Sequence, residues 1–328
     1  MLKITNIRKT YMTPQLASPQ DYVLKGINLE ILPGEIFGLI GANGAGKTTL
    51  MNIISQITCA SGHTVITPEG LRVFEKPGTI EIDGEEIKDL NSLKGKVGYM
   101  LDIPASHEFM TAMEYLAYLS APQGLSKEET TEQNLKLLES VGLTYAKDRR
   151  IKGYSRGMKQ KMGIAAGLVT NPKVVLMDEP SSALDPQGRH EVIEIIKNLA
   201  KEGKVVMLST HVLSDVEKVC TRVGFLIGGE IKITGPIKEV TQSFNEDAYR
   251  IVCKDSIHNM KIVEAAKKAK GFKEAKIKKD GSDVLVFFKE GGRVDILKAI
   301  VASGIEIDSI SLKQASMEDI FLQTNVRG

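Results

Sequence analysis

The sequence predicts a two-domain α/β chain. Residues 1–238 are expected to form a doubly wound, largely parallel sheet with flanking helices, and residues 239–328 a small α+β domain of ferredoxin-like element order. Three observations predict this. Short apolar runs (IFGLI at 36–40, VVLM at 174–177, VVMLS at 205–209) alternate with stretches of helical spacing, as buried parallel strands and their crossover helices do. The length of 328 residues exceeds one typical domain of about 100–200 residues. Past residue 240 the texture changes to short strands and helices in the order β-α-β-β-α-β.

Residues 2–8 (LKITNIR) and 27–32 (INLEIL) alternate as half-buried strands do, and Pro33-Gly34 turns the chain into the buried run at 36–40. A glycine-rich loop follows, and TTLMNIISQI (48–57) has helical spacing. Residues 12–21 and 60–78 are rich in turn formers and read as insertions. TAMEYLAYL and KEETTEQNLKLLESV read as helices parted by Pro122 and Gly124. A further helix at about 187–200 lies between the two last buried runs. In the second domain DAYRIVC, FKEAKIKK, DVLVFFK and IEIDSISLK read as strands, the middle two joined at Asp280-Gly281. MKIVEAAKKA and VDILKAIVA read as its helices.

Composition narrows the function classes. Apolar and charged fractions of 42% and 26% are those of a globular protein, and no apolar run approaches the roughly 20 residues that span a bilayer. A net charge of +2, with no basic block interleaved with aromatics, argues against a nucleic-acid partner. Cys59, Cys220 and Cys253 form no CxxC pair and fit a reducing compartment. The alternating N-terminus does not read as a secretory signal.

The chemistry concentrates in a few segments. Gly41-Ala-Asn43-Gly44-Ala45-Gly46-Lys47-Thr48 satisfies the spacing GxxxxGK followed by Ser or Thr, between a buried strand and a helix. Glycines there let consecutive backbone N–H groups turn inward onto phosphate oxygens, at a helix N-terminus that favours anions. Lys47 is expected to neutralise the outer phosphates, Thr48 to ligate Mg²⁺, and Thr49 to lie in the same turn. The alternative is an ordinary glycine turn. VVLMDEP delivers Asp178 and Glu179 at the C-terminal end of a strand, where ligands collect in open α/β sheets. Asp178 suits Mg²⁺, directly or through water, and Glu179 suits a general base for attacking water. Equally, two acids there could open a solvated loop. Ser209-Thr210-His211 ends another buried run, where His211 could sense the third phosphate or be structural.

With Tyr154-Ser155-Arg156-Gly157-Met158-Lys-Gln some twenty residues before the carboxylates, the series resembles the ABC (ATP-binding cassette) ATPase family over residues 1–238. The resemblance implies a P-loop NTPase fold with a helical subdomain at about 103–160, and hydrolysis of Mg-ATP. It implies that Ser155 and Gly157 contact the nucleotide held by a second ABC ATPase subunit, in a homodimer or with a close paralogue. Ser155 also reads as a helix N-cap. Asp185, in Ser182-Ala-Leu-Asp185, matches the family's interface-crossing loop and also caps the next helix. Tyr11 matches the aromatic that stacks on adenine, with Tyr22 as the competitor. The implied partner is a polytopic membrane permease subunit, at the cytoplasmic face of the membrane, with the chain working as an exporter motor. The region ending in SMEDIFLQ resembles the C-terminal accessory part of such ATPases. Three departures stand out: Asp102 where the family places a glutamine near the metal, Arg156 and Met158 in the signature loop, and a long insertion at 60–78. A soluble ABC ATPase acting on ribosomes or DNA is the alternative. It is weakened by the single phosphate loop and by the lack of a long heptad run between residues 50 and 154.

Overall fold

The computed structural model describes residues 1–13, 18–66, 72–101, 107–182, 184–253, 258–277 and 283–326. The chain divides into two compact units. Met1–Ile237, together with the residues from Gln323 on, form the first, and Lys238–Leu322 the second.

The first unit opens with β1 (Leu2–Thr10) and β2 (Tyr22–Ile31), an antiparallel pair. The second strand starts five residues earlier than its alternation suggests and takes in Tyr22. β3 (Ile36–Ile40) is buried on both faces and runs through the glycine loop into α1 (Lys47–Ile54). That helix stops three residues short of the predicted end, where Gln56 turns to a φ of 58°. Turn-rich composition at 60–78 hides a hairpin, β4 (His63–Ile66) against β5 (Arg72–Glu75). β6 (Thr79–Ile82) joins β1, and β7 (Glu85–Glu86) follows it. After α2 (Leu90–Leu93) and β8 (Val97–Met100) come the helices α3 (Ala112–Ser120), α4 (Lys127–Ser140) and α5 (Arg156–Leu168). Thr111, Ser126 and Ser155 start these three by accepting the N–H of Glu114, Glu129 and Met158.

β9 (Val174–Asp178), α6 (Pro186–Lys201), β10 (Val205–Ser209), α7 (Leu213–Val219), β11 (Arg222–Ile227) and β12 (Glu230–Pro236) complete this unit. Its main sheet has the order β12-β11-β3-β10-β9-β8, parallel except for the antiparallel edge strand β12. A second, antiparallel sheet runs β2-β1-β6-β7. Leu2, Ile4, Leu24, Ile31, Phe37, Leu39, Leu50, Ile54 and Met207 lie between the sheets and α1 in one buried cluster. That cluster seats the glycine loop against the ends of β9 and β10.

α8 (Ile237–Ser243) leads into the second unit: β13 (Ala248–Cys253), α9 (His258–Lys267), β14 (Phe272–Ile277), β15 (Val284–Phe288), α10 (Arg293–Ala302) and β16 (Ile307–Leu312); α11 (Met317–Val326) follows, its residues from Gln323 on grouping with the first unit. Its antiparallel sheet runs β14-β15-β13-β16, the ferredoxin-like order. Tyr249, Ile251, Ile262, Val284, Val286, Ile296 and Ile300 form its own core. The predicted Asp280-Gly281 turn lies outside the described residues. No helix of the described residues is long and apolar enough to cross a membrane.

Candidate active site

The glycine loop closes at the C-terminal end of β3. Gly46, the residue before α1, takes a φ of 105°, and a Cβ there would come within 2.8 Å of the Leu24 side chain. Only glycine meets both demands. Lys47 folds back over the loop and donates to the carbonyls of Gly41 (2.7 Å) and Ala42 (3.2 Å). Burial pulls its ammonium below the usual lysine range, while Glu179 and then Asp178 pull it back up. A cation held dry beside two acids can meet the charge of a phosphate at close range.

Parallel pairing sets the carboxylate. Ser209 lies in register with Asp178, so both side chains leave the same face of the sheet at the same level. Ser209 Oγ–H donates to Asp178 Oδ1, and Thr48 Oγ–H donates to Asp178 Oδ2 at 2.7 Å. Asp178 is buried. A hard carboxylate beside a hydroxyl fits Mg²⁺, which takes few protein ligands and completes its shell with phosphate and water. No group of three or more His, Cys, Asp and Glu side chains suited to a metal occurs among the described residues. Asp102 lies outside the described residues.

Glu179 is held at a φ of 50°, a left-handed conformation that a side chain rarely adopts. Its N–H donates to Ser209 O (3.0 Å), and Gln160 of α5 donates to Pro180 O (3.0 Å). The turn swings the Glu179 carboxylate to 2.9 Å from His211 Nδ1. His211 N–H also reaches it at 3.4 Å. Strain at a polar loop beside a cleft is a mark of function rather than of packing. A cleft of 280 Å³ brings together Asn43, Gly44, Gly46, Lys47, Thr48, Thr49, Asp178 and Glu179. A second recess of 310 Å³ shares Gly44, adds Ala45, and is walled by Tyr22, Val23, Lys25 and Gly229.

The two tyrosines differ. Tyr11 is 71% exposed, with Lys9 Nζ 5.1 Å above its ring. Tyr22 is 6% exposed, and its hydroxyl donates to Gly62 O at 3.0 Å. Ser155, Gly157 and Asp185 do not join the phosphate cleft. They line a separate cleft of 970 Å³ with Arg156, Leu184 and His190. Within it Ser155 accepts the N–H of Met158 (3.3 Å) and Asp185 that of Gly188 (2.9 Å), as caps do. Sequence reasoning missed Val23 and Lys25. Their types carry no signal, and only the fold brings them to the site.

A phosphate loop after a buried strand, with a carboxylate at the end of a parallel strand of the same sheet, one strand removed, defines a P-loop nucleoside triphosphatase. The family model for ABC transporters matches residues 24–182, and that for the C-terminal domain of DrrA1-3-like ATP-binding proteins matches residues 235–325. The chain is 32% identical to the uncharacterized ABC transporter ATP-binding protein YxlF of Bacillus subtilis (strain 168), over 98% of this chain and 99% of that one. It is 34% identical to the lantibiotic transport ATP-binding protein SrtF of Streptococcus pyogenes, over 70% and 89%. To the linearmycin resistance ATP-binding protein LnrL of Bacillus subtilis (strain 168) it is 33% identical, over 72% and 69%. Among solved structures, a dimeric ATP-binding cassette in a post-hydrolysis state with ADP and phosphate is similar at a TM-score of 0.60 and 25% identity, covering 72% of this chain and 99% of that one. The chain belongs to the ABC transporter ATP-binding proteins. It is the ATP-binding, ATP-hydrolysing subunit of a transporter, a class that dimerises and works with membrane permease subunits.

Proposed function

We propose that this chain is the motor of an exporter, in which ATP-driven closure of two ATPase subunits drives a separate polytopic permease. The observation that carries the reading is the separation of two half-sites in one chain: the phosphate cleft and the cleft at Ser155 and Gly157 share no lining residue. A second copy or close paralogue would supply Ser155 and Gly157 to the ATP held here, and Asp185 would cross between the two. The lantibiotic and linearmycin relatives and the DrrA-like C-terminal match favour export.

In this reading residues 1–238 are the motor, with the helical subdomain at about 103–160, and residues 239–328 an accessory domain. Lys47 and the N–H groups of residues 43–49 bind the phosphates. Asp178 and Thr48 hold Mg²⁺, which supplies charge neutralisation at the outer phosphates. Glu179 takes the proton of the attacking water, while His211 orients that water and the outer phosphate. Exposed Leu101, Phe109 and Tyr118 offer apolar contact for the permease at the cytoplasmic face of the membrane.

Tyr11, with its exposed ring, is the adenine platform, and Tyr22 is committed to its own fold. Loss of one stacking contact of about 0.5–1.5 kcal/mol predicts that Tyr11→Ala raises the KM for ATP about two- to tenfold. In the same steady-state assay Tyr22→Phe should leave KM unchanged. The reverse pattern would reassign the platform.

The experiment for the whole reading is affinity purification of tagged Glu179→Gln protein from detergent-solubilised membranes with ATP, followed by mass spectrometry. A co-purifying polytopic permease supports the transporter-motor reading. Recovery of ribosomal or DNA-bound proteins instead would replace it with the soluble alternative.

A further inference from the structure

Ser181, Asp215 and Arg189 form a polar cluster outside the nucleotide cleft. Ser181 follows Glu179 by two residues, Asp215 lies in the first turn of α7 four residues past His211, and Arg189 lies in α6 four residues past Asp185. Ser181 and Asp215 are each 3% exposed. Ser181 Oγ–H donates to Asp215 Oδ2 at 2.6 Å, and Arg189 Nε stands 3.7 Å from the same oxygen, beyond hydrogen-bond distance. Asp215 Oδ1 and Arg189 Nε are buried without a hydrogen-bond partner among the described residues.

Stability does not explain this arrangement. Taking a carboxyl group from water costs more than one hydroxyl partner and a distant guanidinium return, and an apolar side chain would pack there at less cost. Geometry explains it. Glu179 sits at a strained φ of 50°, so the loop after it must be held from outside. His211 is 63% exposed at its side chain, so little packing fixes its ring. The bond from Ser181 to Asp215 spans these two segments directly.

We propose that Asp215 is a positioning residue for the Glu179–His211 pair. The Ser181 hydroxyl staples the loop after Glu179 to the helix after His211, and Arg189 extends the staple to the helix that Asp185 caps. The inference rests on the reading of Glu179 and His211 as the hydrolytic pair.

The test is steady-state ATP hydrolysis by the assembled full-length protein, with thermal melts for every variant. Misplacement of reacting groups by about 1 Å can cost about a hundredfold. Ser181→Ala, which deletes one oxygen atom, should therefore lower kcat at least about tenfold, with KM for ATP within about twofold. Asp215→Ala should match it. Asp215→Asn keeps an acceptor oxygen for Ser181 and should recover most of the loss. In a His211→Ala background, Ser181→Ala should cost clearly less than it does in the native chain, because part of the staple's effect passes through that side chain.

Wild-type kcat in Ser181→Ala, a rise in KM alone, or a fully additive loss in the His211→Ala background would each overturn the inference. Full activity in His211→Ala itself is a separate outcome, and it removes the hydrolytic pair on which the staple depends. If Asp215→Ala fails to fold, Ser181→Ala decides alone.

Discussion

Glu179→Gln should bind ATP nearly as the native chain does and lose about two to four orders of magnitude in kcat, the usual contribution of a general base. Glutamine has the shape of glutamate, so the loop at a φ of 50° and the contact toward His211, 2.9 Å away, can persist. What disappears is the capacity to take a proton. The separation of kcat from KM is therefore the diagnostic feature, since loss of a group needed only in the transition state leaves ground-state binding in place. Sedimentation with ATP should also show a lasting dimer, because closure is no longer relieved by hydrolysis. Turnover within a few-fold of the native rate would place the base elsewhere.

Lys47→Ala should act at the opposite end of the cycle and abolish useful nucleotide binding. Lys47 is 8% exposed and desolvated by burial, so its attraction for a phosphate is little diluted by water. Removing one partner from a buried, hydrogen-bonded charge pair costs about 2–5 kcal/mol, or about 30-fold to several-thousand-fold in affinity. Titration with a fluorescent ATP analogue reads this directly. The Lys47 bonds to the Gly41 and Ala42 carbonyls also brace the loop, so a small fall in melting temperature without nucleotide should accompany it. Unaltered affinity would mean that the loop amides alone carry the phosphates.

Legibility from sequence followed how local each feature is. The phosphate loop was readable because its function resides in backbone N–H groups at fixed offsets, for which glycines at set positions suffice. The β-α-β-β-α-β order of the second unit was readable from apolar periodicity within segments of six to ten residues. The hairpin at 63–75 was not. Its segment carries Gly62, Pro68, Gly70, Pro77 and Gly78, which read as an irregular insertion. Gly78 is glycine because β1 passes so close that a Cβ would come within 2.1 Å of Thr5 O, a demand made by another segment.

By itself the sequence determined that this protein binds and hydrolyses ATP and which motifs compose the machinery; the last residues, from Gln323 on, group with the first unit rather than the second, which no local pattern announces. Tertiary structure alone decided that Tyr22 is buried while Tyr11 is exposed, that Glu179 faces His211, and that Ser181 reaches Asp215 across 34 residues of chain. It also parted Ser155 and Gly157 from the phosphates they are proposed to serve. The physical reason is the same in each case. A motif specifies what a short stretch of backbone can do, whereas burial, side-chain distance and the separation of two clefts depend on strands paired from remote parts of the chain.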